Sequence, residues 1–176
     1  MSRAWTDSNP VTDPVPGTAP GTGPSGGTDS STGADTAHPR VVLRGRTVVP
    51  GVVEGEALVS PATISGWGGI DPAAGTIIEP RHPLFGVCFT GKILVFPGAK
   101  GSSGWSGFFQ TTRLLGTAPI GMIFAVTTTK AALGAVVTRV PALSDLDGDP
   151  VALLRTGDRI RLDATDGTVS LLRARS

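Results

Sequence analysis

The segment Lys92-Ile93-Leu94-Val95-Phe96, closed by Pro97 and followed by Gly98-Ala99-Lys100-Gly101-Ser102-Ser103-Gly104, constrains this chain more than any other. A continuous apolar run without polar alternation suits a strand covered on both faces, and such strands belong to parallel sheets overlaid by helices. Pro97 ends the run. Beyond the glycine-serine loop, Trp105, Phe108, Phe109, Thr112 and Leu115 recur at helical spacing. The unit is therefore strand, loop, helix.

The text on either side extends this unit. Pro119 to Val126 reads as a second buried strand, Thr129 to Thr138 as a short helix and Val140 to Leu143 as a third strand. Upstream, Val41 to Leu43, Thr47 to Val49 and Glu56 to Ser60 are short strand-like runs separated by Gly45, Pro50-Gly51 and Gly55. Trp67 to Gly75 reads as a loop, because adjacent glycines permit unusual backbone angles and Asp71-Pro72 favours a turn. Gly157 to Asp163 and Thr168 to Leu172 alternate polar with apolar around Asp166-Gly167, the pattern of a hairpin. The fold class expected is α/β, mixed and β-rich. A β-layer closed by the C-terminal hairpin joins a few parallel strands that carry one or two helices.

Composition divides the chain. Residues 1–38 contain six Gly, five Pro, five Ser and seven Thr but no Leu, Ile or Phe, so they cannot bury enough apolar surface to offset ordering. They are expected to form a disordered tail, leaving one domain over residues 39–176. The tail holds four Asp and one Arg while the whole chain carries +1, so the domain is mildly basic. Its densest basic group, Arg155, Arg159 and Arg161, reads as one face of a surface hairpin, and nucleic acid is not an expected partner.

A single cysteine, Cys88, excludes an internal disulfide and offers no thiolate set for a metal centre. It is expected to be a small buried residue between Val87 and Phe89. The longest apolar run, Ile120 to Val126, is far short of the ~20 residues of a membrane span. No apolar leader follows the first Arg, and a reducing cytoplasm is the expected setting.

The loop before the first helix is where chemistry is expected. Backbone N–H groups at a helix start lack intrahelical acceptors, so a Gly/Ser loop there can receive an anion, with Lys100 adding charge. The alternative is that Ser102 or Ser103 merely caps the helix. The loop lacks the Gly-Lys-Ser/Thr ending of a Walker motif. Surrounded by donors and a cation, the Ser102 hydroxyl would serve as a general base, whereas a Ser-His triad finds little support in His38 and His82. His82, before Pro83, reads as a loop residue packing its ring. Asp145, Asp147 and Asp149 read as a solvated turn, since the full calcium loop is missing.

Several separate motifs then fall into one register. Glu54-Gly55-Glu56-Ala57-Leu58-Val59-Ser60, Gly68-Gly69-Ile70-Asp71-Pro72 with Gly75, Arg81-His82-Pro83-Leu84, Gly91 to Pro97, Gly101-Ser102-Ser103 and Thr156-Gly157-Asp158-Arg159 together resemble the small subunit, or swivel domain, of aconitase X. The similarity runs from about Arg44 to Leu172. It implies an aconitase-like swivelling β/β/α domain and part of a hydro-lyase that dehydrates a hydroxy acid. Relatives of this kind act on cis-3-hydroxy-L-proline or phosphomevalonate.

The resemblance also implies a division of labour. A large partner subunit would supply an iron–sulfur cluster and most of the pocket, no cofactor being bound by this chain. Ser102, first serine of the Gly-Ser-Ser turn, would be the catalytic base. Lys100, Gly101 and Ser103 would contact substrate, with Gly68, Gly69 and Asp71 lining the same cleft. Where relatives continue Gly-Ser-Ser with Thr-Gly-Ser, this chain has Gly104-Trp105-Ser106, a large indole at the helix start. The alternative function is a non-catalytic swivel domain that docks on a large partner, with Ser102 only a cap.

Overall fold

The computed structural model describes residues 40–175, and the tail expected over residues 1–38 lies outside them. Three short strands open the domain: β1 (Arg40–Arg44), β2 (Arg46–Val49) and β3 (Val52–Val59). Three two-residue strands follow, β4 (Ile64–Ser65), β5 (Ile70–Asp71) and β6 (Thr76–Ile77). Then come β7 (Ile93–Phe96), β8 (Ala99–Lys100), α1 (Trp105–Leu115), β9 (Gly121–Phe124), α2 (Thr129–Thr138) and β10 (Ala142–Ser144). A single-turn α3 (Pro150–Leu153) precedes the hairpin β11 (Arg159–Asp163) and β12 (Thr168–Arg173).

Eight strands form one sheet in the order β1-β12-β11-β3-β7-β9-β10-β2. The successive strands β3, β7, β9 and β10 run parallel to one another, and the remaining pairs, β3 with β11 and β10 with β2 among them, are antiparallel. The two edge strands, β1 and β2, are separated in sequence by Gly45 alone. Consecutive Cα atoms lie about 3.8 Å apart, so edges joined by one residue must meet, and the sheet curls into a nearly closed barrel. Gly45 sits in this seam. Its N–H donates to Gly167 O at 2.9 Å, and a Cβ there would lie 2.8 Å from Ser144 O and 2.9 Å from Leu146 Cγ.

Two cores follow from strand alternation. Leu94 and Phe96 of β7, with Met122 and Phe124 of β9, face α1 and α2 together with Trp105, Phe109, Ala131 and Ala135. Ile93 and Val95, with Ile123, Leu143, Ile160, Leu162 and Val169, fill the barrel interior. All four β7 residues are fully buried, as a strand covered on both sides requires.

The expected mixed, β-rich α/β fold with a C-terminal hairpin is the one observed, and α2 spans the anticipated Thr129–Thr138. The expected loop at Trp67 to Gly75 contains the β5 strand, which pairs with β6. Cys88 corrects the sequence reading: it is exposed, not buried. It forms a bridge with Thr76, where strand alternation turns the fully buried Phe89 inward and Cys88 outward.

Candidate active site

Parallel strands present their carboxyl ends on one side, where the chain leaves each strand for a loop and helix. Beyond β7, strand β8 pairs in parallel with β4, placing Ser65 opposite Lys100. Gly101 then turns the chain with φ +89°, a conformation that side chains resist. Ser102, Ser103 and Gly104 follow as an exposed bend before α1.

The serines do not cap this helix. Its N-cap position is Gly104, which has no side chain to offer, and Trp105 N–H donates instead to the carbonyl of Ser102 at 3.3 Å. A Cβ on Gly104 would lie 3.5 Å from Ser102 Oγ, so that hydroxyl rests over the beginning of α1. Among the described residues, neither the Ser102 nor the Ser103 hydroxyl has a hydrogen-bond partner. A free hydroxyl over the positive end of a helix dipole is placed to meet a negatively charged reactant.

Trp105 does not enter this space. Its ring is 1% exposed, stacks on Phe109 at 4.1 Å, and donates Nε1–H to Ile64 O at 2.8 Å. The indole thus anchors the start of α1 to β4 from beneath. Gly134 of α2 lies against the ring: a Cβ there would come within 2.1 Å of Trp105 Cζ3. The missing side chain lets the two helices close on the indole.

An open cleft of about 640 Å³ lies beside the bend, lined by Ser103, Thr127, Thr128, Thr129, Lys130 and Leu133. Thr128 caps α2 by accepting from Ala131 N–H. Thr127 is fixed from behind: Arg46 donates to its Oγ1 at 3.0 Å, and Ser144 Oγ lies 2.5 Å away. Arg46 also grips Asp145 through Nε and Nη2, at 2.8 and 2.6 Å. Those guanidinium hydrogen bonds hold the Asp145 carboxyl below its ordinary 3.8. Asp147 instead accepts from Arg44 N–H, and Asp149 caps α3, so the three aspartates have separate partners.

The remaining expected site residues fall into distinct places. Lys100 forms an ion pair with Glu79 at 2.5 Å, while the other carboxylate oxygen of Glu79 is buried without a partner among the described residues. Gly68 is exposed, and Gly69 packs so closely on β4 that a Cβ would sit 2.3 Å from Ser65 O. Asp71 accepts from the N–H groups of Ala73 and Ala74, stabilising its own turn. Ser65 links these groups to the bend, since a Cβ on Gly101 would lie 3.6 Å from its Oγ. His82 is buried: Nδ1 accepts from Leu84 N–H, which leaves the proton on Nε2 to face Ser60 Oγ at 3.3 Å, and Ser60 donates to Ala62 O.

Sequence reasoning missed Lys130. Its Nζ donates to Gly101 O at 2.5 Å, directly behind Ser102. One signal was available: a lysine in the first turn of a helix opposes the dipole, an arrangement that local preference disfavours.

The domain is a mixed, nearly closed β-rich α/β sheet that presents a glycine-serine bend at the carboxyl ends of its parallel strands. Residues 42–171 match the model of the aconitase X swivel domain. The phosphomevalonate dehydratase small subunit of Methanococcoides burtonii is 37% identical over 127 residues, covering 72% of this chain and 93% of that one. The subunit of the same name from Thermococcus gammatolerans is 38% identical over 130 residues, 74% of this chain and 97% of that one. The crystal structure of Thermococcus kodakaraensis aconitase X in its holo-form gives a TM-score of 0.70 at 36% identity, covering 73% of this chain and 96% of that chain. The chain belongs to the aconitase X swivel-domain family, and its class is that of hydro-lyase subunits.

Proposed function

We propose that this dehydratase subunit carries Ser102 to a phosphorylated hydroxy acid, phosphomevalonate or a near analogue, held mainly by a large partner subunit. The substrate class rests on relatives named as phosphomevalonate dehydratase small subunits. Dehydration removes a proton from one carbon and hydroxide from its neighbour. Ser102, as alkoxide, takes the proton on Oγ and becomes neutral, while the hydroxide departs on the face covered by the partner. Amide donors at the bend and the helix start favour the ionised hydroxyl once the partner excludes water. The observation that carries this reading is the exposed Ser102 hydroxyl, resting over α1 without serving as its cap.

An iron–sulfur cluster does not fit this chain, whose single cysteine is exposed. The cluster is assigned to the large subunit, and nothing in the proton transfer described here passes through it. Among the described residues no helix is long and apolar enough to cross a membrane. The cytoplasmic setting belongs to the proposal.

The test is Ser102→Ala in the reconstituted pair, assayed with phosphomevalonate and, separately, with cis-3-hydroxy-L-proline. Turnover should fall by about 10²–10⁴-fold, the usual worth of a positioned base, while gel filtration shows an intact complex. Retention of more than about a tenth of wild-type turnover would favour a docking domain without catalysis.

A further inference from the structure

We propose that Lys130 is a positioning residue for the serine base, acting through the peptide bond between Gly101 and Ser102. This inference rests on the assignment of Ser102 as base. Lys130 lies in the first turn of α2, after the cap Thr128, and lines the same cleft as Ser103. Its Nζ donates to the carbonyl oxygen of Gly101 at 2.5 Å. That carbonyl belongs to the amide whose N–H is the N–H of Ser102. A charged donor on the oxygen draws electron density through the amide and makes the N–H on its other end a stronger donor. The donor so strengthened belongs to the residue that must carry negative charge.

The same contact fixes geometry. Gly101 holds φ +89°, and a glycine in that region has other conformations open to it at little cost. Bonding its oxygen to a helix selects one of them and sets where Ser102 stands relative to α1. The anchor is tied down in turn, because α2 is clamped to α1 across Gly134 and Trp105. A lysine beside a helix N-terminus opposes the dipole, so helix stability does not account for its presence. Lys100, the cation at the end of β8 next to Gly101, is engaged by Glu79.

The test compares Lys130→Met and Lys130→Arg in the reconstituted pair with phosphomevalonate as substrate. Lys130→Met should lower kcat about 10- to 100-fold with KM within about twofold, and Lys130→Arg should recover at least a third of the loss on a logarithmic scale. In the isolated chain, Lys130→Met should move the amide resonance of Ser102 while Tm stays level or rises. A purely structural lysine would instead lower Tm and weaken the complex at unchanged kcat, and that result overturns the proposal. So does a kcat within twofold of wild type, or an unmoved Ser102 amide. If Ser102→Ala retains activity, or the wild-type pair has none, the assignment of the base falls and this inference with it. If Ser102→Ala is inactive and Lys130→Met is not, only this inference falls.

Discussion

His82 shows how a single side chain can be read from its partners. Accepting from Leu84 N–H at Nδ1 commits the imidazole to carry its proton on Nε2, and Ser60 is the acceptor that makes this tolerable in a buried site. Ser60→Ala should therefore cost about 1–3 kcal/mol, the usual penalty for an orphaned buried donor, measured as a lower urea midpoint. Asp145 gives a pH test. Its folded carboxyl titrates below 3.8 because Arg46 donates to it, so as pH falls through that value the unfolded chain gains the proton first. Stability contributed by the pair is present above this range and is lost below it. Asp145→Asn should flatten that part of the acid limb in a pH series of melting temperatures, by a small amount because the pair is exposed. Residue identity also marked the limit of sequence reading. The bend that carries Ser102 was legible because glycine, serine and a helix start are neighbours in the chain. Lys130, 29 residues from Gly101, and Glu79, 21 residues from Lys100, meet their partners only through tertiary packing.

At the scale of elements, legibility followed length and local signals. The helix α2 was readable to its ends because Thr128 caps one side and Val140 and Pro141 begin a new run at the other. The β4–β8 pair was not readable: two residues on each side carry no periodicity, yet they place Ser65 beside the bend. The sequence places a large indole at the helix start without showing where it goes; the ring lies beneath the bend and stacks on Phe109. Space for it comes from Gly134 on another helix, and complementarity of that kind is invisible in a single sequence. Gly134→Ala puts two effects in opposition. Alanine improves helix propensity by about 1 kcal/mol, but its Cβ would approach a fully buried ring carbon to 2.1 Å. Overpacking typically costs about 1–3 kcal/mol and here should win, lowering Tm and altering the near-UV dichroism of Trp105.

The whole molecule is organised by closure of its sheet. Turn chemistry announced the short strands and the hairpin, but nothing in the local text told that β1 and β2 would part at Gly45 and reach opposite edges. That arrangement demands a residue without a side chain at the parting, since Ser144 O and Leu146 Cγ occupy the space a Cβ needs. Gly45→Val should destabilise the domain by about 1–3 kcal/mol in urea titration, with Gly45→Ala lying between it and wild type. The seam has a bearing on biosynthesis as well. Among the described residues strand β1 bonds to β12, Arg40 facing Leu171, so the strand that opens the sheet waits for one made much later in the same domain. Pairings of such wide sequence separation form slowly. The circle can be completed only once β12 has been made, and a nascent chain arrested before Thr168 holds an open edge for which other sticky peptides would compete.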